Sequence, residues 1–296
     1  MRESVAVLGS IHMDLLVGAP RLPTLGETLM GENWYQTPGG KGLNQAVSCA
    51  RAGVHVAMYG AVGHDGFGDT LLDYMKSQHV STHHVTRVRD ARSGISIVVR
   101  TPDDYGAVVS SQVNAALSRG SVAHWAQRLA HTDMLVLQNE IPEEVNVAAA
   151  LLVRRAGGQV VLNAAPARTL SRELSDQLTL LVVNAVEASM MGTGEVHDLD
   201  AAARACAQLQ AMLGCAVVVT AGPHGAAWML GSGECGNVAG IKVDVITSHG
   251  AGDAFIGHLV AELSRERCLG DAVEVANRQA ALFVSTPRPQ EHRELA

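Results

Sequence analysis

Six short runs, at 5–9, 54–61, 134–138, 159–163, 180–184 and 216–220, are apolar almost without a break. A strand with one wet face alternates polar and apolar residues, so a continuous run describes a strand covered on both sides. Between the runs lie Ala- and Leu-rich segments of helical period, at 42–52, 65–79, 121–131, 142–156, 198–213, 250–264 and 270–284. This alternation predicts an α/β fold, with a central, mostly parallel sheet and helices on both of its faces. Residues 12–38 and 93–113 break the pattern. In the second segment Ile95, Ile97 and Val99 alternate before the turn-like Thr101-Pro102-Asp103-Asp104, and a short run at 106–111 returns, as in a β-hairpin. The two segments predict a small β-sheet lid beside the carboxyl ends of the strands, where ligands of such sheets bind. No repeat or linker divides the chain, so residues 1–296 read as a single domain carrying that lid.

Composition removes several classes of function. Lys and Arg number 22 against 29 Asp and Glu, a net charge of −7, and only 3% of residues are aromatic. Polyanion surfaces need clustered cations and single-stranded nucleic acid needs stacking rings, so the expected partners include neither nucleic acid nor a membrane surface. The five cysteines are odd in number and form no CxxC pair, the pattern of reduced thiols in a cytosolic protein. The amino-terminal residues lack the features of a secretion signal, and no apolar stretch approaches the roughly 18 residues that span a bilayer. Both point to a cytoplasmic location. Of the thirteen histidines, His79, His83 and His84 are the closest group, but no carboxylate or cysteine completes a zinc set, and a polar loop is the expected setting. Cys206 and Cys215 fall in or beside apolar elements and read as buried, inert thiols.

The segment with the clearest chemistry is Ser248-His249-Gly250-Ala251-Gly252-Asp253-Ala254-Phe255, which opens an apolar helix. Three small residues let backbone N–H groups converge at a helix N-terminus, where the dipole favours an anion such as phosphate. Asp253, in the first turn, stays ionised in the same field. An anion nest beside a carboxylate is what phosphoryl transfer to an alcohol requires: donors for the moving charge and a base for the hydroxyl proton. An ordinary glycine-rich turn with an N-terminal helix charge has the same sequence. A second segment, Gly39-Gly40-Lys41-Gly42-Leu43-Asn44-Gln45, is not a P-loop, since Tyr35 holds its first glycine position and Gly42 follows the lysine. Its glycines would instead let the backbone approach a small ligand, with Asn44 supplying an amide.

Taken in order, 9–14, 39–44, 60–68, 113–117, 138–142, 163–167, 184–187, 220–226 and 250–253 form a series. It includes Gly9-Ser10-Ile11-His12-Met13-Asp14, Gln138-Asn139-Glu140-Ile141-Pro142 and Thr220-Ala221-Gly222-Pro223-His224-Gly225-Ala226. Over nearly its whole length the chain resembles the ribokinase branch of the PfkB carbohydrate kinases. The resemblance implies a ribokinase-like fold and an ATP- and Mg²⁺-dependent transfer of the γ-phosphoryl to a primary hydroxyl of D-ribose or a related sugar. Asp253 matches the family's base, and Gly250, Ala251 and Gly252 its anion hole. Asp14, Gly40, Lys41, Asn44 and Glu140 match positions that hold the sugar, as does His12. Asn184, Thr220, Gly222, Gly225, Gly252 and Asn277 match nucleotide-binding positions. Glu187 completes an NxxE motif associated with Mg²⁺ through water. The lid corresponds to the clasp through which ribokinases form homodimers.

Plainer readings stand beside these. Asp14 and Glu140 could be solvated residues at strand ends, Lys41 a surface charge, and Asn184 with Glu187 a helix capping pair. There are also departures from the family pattern. His12 replaces the usual Asn, and imidazole offers one hydrogen bond where the amide offers two kinds; this opens the substrate to a deoxysugar, a ketohexose or its phosphate, or a nucleoside. Thr247-Ser248-His249 stands where Asp-Thr-Thr is common, and 285–289 lacks the family's glycine-containing loop. The monovalent cation site near Thr247 and His249, and with it K⁺ activation, is therefore in question. A sugar-binding or regulatory protein without turnover is the rival from another class, although it would have no use for Asp253. A dinucleotide-dependent oxidoreductase is disfavoured because Gly9-Ser10-Ile11-His12 is not GxGxxG.

Overall fold

The computed structural model describes residues 3–102, 105–248 and 250–287. The strands of the large sheet are β1 (Glu3–Leu8), β4 (Val56–Gly63), β5 (Ser81–Val88), β8 (Thr132–Gln138), β9 (Gln159–Asn163), β10 (Leu180–Asn184), β11 (Ala216–Thr220), β12 (Gly225–Met229) and β13 (Cys235–Ala239). The remaining strands, β2 (His12–Gly18), β3 (Trp34–Gly39), β6 (Gly94–Arg100) and β7 (Tyr105–Ser110), form a second sheet. The helices are α1 (Lys41–Arg51), α2 (Gly66–Ser77), α3 (Arg119–Leu129), α4 (Glu143–Arg155), α5 (Arg172–Ser175), α6 (Ala185–Ala188), α7 (Leu199–Leu213), α8 (Ala251–Leu263) and α9 (Leu269–Ser285).

The large sheet has the order β13-β12-β11-β10-β9-β8-β1-β4-β5, parallel from β5 to β11 and closed by the antiparallel pairs β11/β12 and β12/β13. Its continuous apolar runs divide between the two faces with period two. Val5, Val7, Met134, Val136, Leu180 and Val182 join a core with Leu43, Leu71, Leu259 and Val273 from α1, α2, α8 and α9. Ala6, Leu8, Leu135, Leu137, Leu181 and Val183 join the opposite core with Trp125, Val145, Val153 and Leu209 from α3, α4 and α7. A residue on either face is covered, which is why these strands show no polar alternation.

Edge strand β5 and the β12/β13 hairpin were not legible as strands. His83 and His84 lie on edge strand β5, paired in parallel with β4, and not in the loop expected for them. The His84 ring stacks on buried Tyr59 at 4.5 Å, an edge-strand packing role that hydropathy does not reveal. Strand β13 of the β12/β13 hairpin is likewise half exposed. Residues 12–39 contain β2 and β3, and β2 is the central link of the second sheet, antiparallel to β3 and parallel to β6. The expected hairpin is β6/β7; Asp103 and Asp104 of its turn lie outside the described residues. Cys206 and Cys215 are buried, and burial pushes their thiols up to about 12 and about 11. Among the described residues no helix is long and apolar enough to cross a membrane.

One close contact fixes the depth at which the site is built. A Cβ on Gly257 of α8 would lie 2.3 Å from Cβ of Ser48 on α1, and the Ser48 hydroxyl donates to the Ala254 carbonyl at 3.2 Å. The helices can approach only because Gly257 has no side chain. Gly257→Ala is expected to force them apart and lower stability by about 1–3 kcal/mol, the usual range for overpacking. A chemical denaturation midpoint equal to that of the native protein would contradict this packing.

Candidate active site

The parallel strands end along one edge, and the chain places its polar groups there. Asn163, Asn184 and Thr220 close β9, β10 and β11, while Ser10 and Glu140 follow β1 and β8. The Ser10 hydroxyl donates to the Glu140 carboxylate, which also accepts the Lys41 backbone N–H at 3.0 Å. Leu43 N–H donates to the Ser10 carbonyl at 3.0 Å, so the start of α1 is docked on the turn after β1. Gly40, with φ of 99°, caps that helix; a Cβ there would stand 2.7 Å from the Ser10 oxygen. No other residue could hold the helix end so close.

The second sheet covers this edge. His12 pairs with Gly39 and Gly94, and Asp14 with Thr37 and Ser96, so His12, Asp14, Tyr35, Thr37, Ser96 and Val98 face one cavity of about 640 Å³. Gly39 leaves room for the Asp14 carboxylate, and Gly94 for the first carbon of His12. Within the cavity wall His12 Nε2 lies 3.0 Å from Asp14 Oδ1, with both side chains more than nine-tenths buried. Gly40, Lys41, Asn44, Glu140 and Asp253 complete the opposite wall.

Asp253 stands in the first turn of α8, after Gly250, whose left-handed φ of 83° reverses the chain into the helix. Asn44 donates to Asp253 Oδ2 at 3.3 Å and Gln45 to Oδ1 at 3.0 Å. Burial pushes the Asp253 carboxyl above its ordinary value. The Lys41 ammonium and the donors Gln45 and Asn44 oppose that rise, and the Glu140 charge adds to it. Such a group is a stronger base than an exposed aspartate, and it opens onto a concave cavity.

Of the expected residues, the structure brings His12, Asp14, Gly40, Lys41, Asn44, Glu140 and Asp253 together in one cavity. Gly250 lines an adjoining cavity that also touches Asp14, Asn44 and Asp253, and Ala251 and Gly252 form the first turn of α8. Asn184, Thr220, Gly222, Gly225 and Asn277 lie outside that cavity. Asn184 and Glu187 form a reciprocal capping box at 2.8 Å in each direction. Capping does not exhaust Glu187: burial raises its carboxyl, against the Asn184 N–H and Lys41, and the Asp253 charge adds to the rise. Gly222 and Gly225 flank the turn between β11 and β12. Asn277 donates to the Ala239 carbonyl at 2.9 Å, tying α9 to β13. Thr247 lines the cavity; His249 and positions 288–289 lie outside the described residues.

Five polar residues carry the geometry without having been singled out: Ser10, Gln45, Asn114, Gln138 and Asn163. Asn114 accepts the Ile11 N–H at 3.0 Å and donates to the Ile11 carbonyl at 2.8 Å, a side chain serving as a strand partner between the two sheets. Gln138 and Asn163 each end an apolar run, and an amide at the carboxyl end of a buried strand is a signal that could have located them.

Comparison with known proteins identifies the family. A profile of the pfkB family carbohydrate kinases matches residues 2–294. A ribokinase of Haemophilus influenzae is 32% identical over 286 residues, covering 96% of this chain and 93% of that protein. A deoxyribokinase of Salmonella typhi is also 32% identical, over 95% of this chain and 91% of its own length. The structure of Arabidopsis thaliana ribokinase complexed with ribose and ATP superposes with a TM-score of 0.89 at 25% identity, covering 97% of this chain and 94% of that one. The chain belongs to the pfkB family of carbohydrate kinases and is a ribokinase-like phosphotransferase with an alcohol group as acceptor.

Proposed function

We propose that the protein transfers the γ-phosphoryl of ATP to a primary hydroxyl of D-ribose or a closely related pentose, with Asp253 as general base. The observation that carries this reading is a buried carboxylate at the N-terminus of α8, facing a cavity walled by Asp14, Asn44 and Glu140. Carboxylates and an amide are directional partners for vicinal hydroxyls and discriminate against sugars that lack them. Asp253 takes the hydroxyl proton as the oxygen attacks phosphorus and the bond to the β-phosphate oxygen breaks. Gly250, Ala251 and Gly252 present the helix N-terminus to the charge on the transferring group. His12, Gly40 and Lys41 complete the sugar site, while Asn184, Thr220, Gly222, Gly225 and Asn277 serve the nucleotide.

Among the described residues no group of three or more His, Cys, Asp or Glu could hold a metal by protein ligands alone. That suits Mg²⁺, which is commonly held by phosphate and water oxygens with one or two carboxylates. Glu187 is the carboxylate we assign to it, through water. When bound, the ion neutralises phosphate charge. Potassium is not part of the proposal, because Thr247 offers no carboxylate where the family holds that ion. We place a homodimer contact on the face of the small sheet turned away from the cavity, where Trp34, Ile97 and Val108 are exposed.

A deoxypentose is the second reading, favoured by the His12–Asp14 contact at 3.0 Å, which occupies one of the two carboxylate oxygens otherwise open to sugar hydroxyls.

Asp253→Ala is expected to lower turnover by about 10²–10⁴, the usual contribution of a general base, while calorimetry shows nucleotide binding retained; near-native kcat would remove Asp253 from that role. His12→Asn should raise the kcat/KM ratio of ribose to 2-deoxyribose by about tenfold or more, as one regained hydrogen bond at a buried site allows. An unchanged ratio would show that His12 does not set specificity. Sedimentation should report a dimer for the native protein and a monomer for Ile97→Asp; a dimer in both places the contact elsewhere.

A further inference from the structure

Asp253 is backed by a chain of buried amides whose polarity is set from the sheet. The Val182 carbonyl can only accept, and Asn163 Nδ2 donates to it at 3.2 Å. Asn163 therefore presents Oδ1 to its other neighbour, and Gln45 Nε2 donates to that oxygen at 3.0 Å. The same nitrogen has a second hydrogen, which goes to Asp253 Oδ1 at 3.0 Å. On the far side Gln138 Nε2 donates to Gln45 Oε1 at 2.8 Å. Gln45 and Gln138 are fully buried and Asn163 nearly so. Turning the Gln45 amide over would set its oxygen against Asn163 Oδ1 and a carboxylate, and its nitrogen against the Gln138 nitrogen. The orientation has one solution, and in it Gln45 can only donate to Asp253.

We propose that Gln45 is a positioning residue that pins Asp253 Oδ1 as a hydrogen-bond acceptor and so leaves Oδ2, beside Asn44, as the oxygen that receives the substrate proton. This rests on the reading of Asp253 as base. Neighbouring residues 44 and 45 on a helix point about 100° apart, so the two amides hold both carboxylate oxygens and fix the plane of the group. The fixed carbonyl of Val182 thereby sets, through two side chains, the role of Asp253 Oδ1. The Gln45 donor also opposes the effect of burial on Asp253.

Gln45→Met retains the volume and removes the donor. The charged groups bearing on Asp253, namely Lys41, Glu140 and Glu187, are the same in the variant and the native protein. A base works only when deprotonated, so losing a donor to its anion moves the acid limb of kcat to higher pH. The expected result is a kcat lower by about ten- to a hundredfold at neutral pH, the worth of one hydrogen bond to a charged group. KM for the sugar should stay within about threefold and the acid limb should rise by about one pH unit. A residue that only supported the fold would lower the melting temperature and leave the limb in place. A cooperatively melting Gln45→Met protein with native kcat and an unmoved limb overturns the proposal. Should that variant not fold, Gln138→Met decides: it frees Gln45 Oε1 without touching Asp253, and a smaller shift of the limb in the same direction is expected, an unmoved limb being the refuting result. Asp253→Asn, measured in parallel, separates the two ideas. Turnover retained by Asp253→Asn refutes the base itself, whereas its loss beside a normal Gln45→Met refutes only the positioning role.

Discussion

The Asp253 carboxylate is the group around which the rest of the site has to be arranged. Taking a carboxylate out of water disfavours its charged form, and the base we propose it to be must nonetheless be charged to act. The protein resolves this with partners that cannot themselves accept a proton from it: two amide donors from α1, the Lys41 ammonium and the first turn of α8. Each of these comes from α1 or α8. The contact of Ser48 with Gly257 is therefore part of the chemistry as well as of the core, because it sets how near the donors stand to the carboxylate. In the proposed reaction this balance produces a base stronger than a solvated aspartate.

The small sheet answers a different requirement. A single polyol offers several hydroxyls at fixed angles, and recognising them takes acceptors held on a rigid surface. Strand β2 supplies His12 and Asp14 two residues apart, so both point to the same face, and the glycines on the flanking strands give them room. These two side chains already touch, His12 Nε2 lying 3.0 Å from Asp14 Oδ1. The acceptor capacity left for a ligand is smaller than two independent polar residues would provide, which is why the proposed deoxypentose reading turns on this strand.

How much of this could be read from the chain depended on physical context. Strands covered on both faces announced themselves, since nothing polar interrupts 134–137 or 180–183. Strand β5 did not, because an edge strand carries His83 and His84 at positions where one side meets water. The ends of α1 and α8 were legible because glycine and small residues there have few uses other than close backbone approach. Gln45 and Gln138 were not, for a reason of a different kind. A buried amide is recognisable only when its partners are known, and its partners here are 93 and 118 residues away in the chain. Pattern within a segment cannot express such a pairing. Similarly, Asn184 and Glu187 carry a capping pattern that is real, and the pattern alone could not show that the capped turn also holds a carboxylate within the electrostatic reach of Asp253.

A net charge of −7 and an anionic ligand are compatible for the same reason that local pairing matters more than composition. Phosphate needs converging donors, and a helix N-terminus supplies them from the backbone without any cationic side chain. Lys41 is the positive side chain that bears on both Asp253 and Glu187, and its backbone N–H is already bound to Glu140. A site built in this way is neutralised by geometry. A surface rich in lysine would bind polyanions indiscriminately, whereas donors fixed at one helix end accept an anion only where the reacting hydroxyl can meet it. A net negative charge and the phosphate site proposed at the start of α8 are therefore compatible.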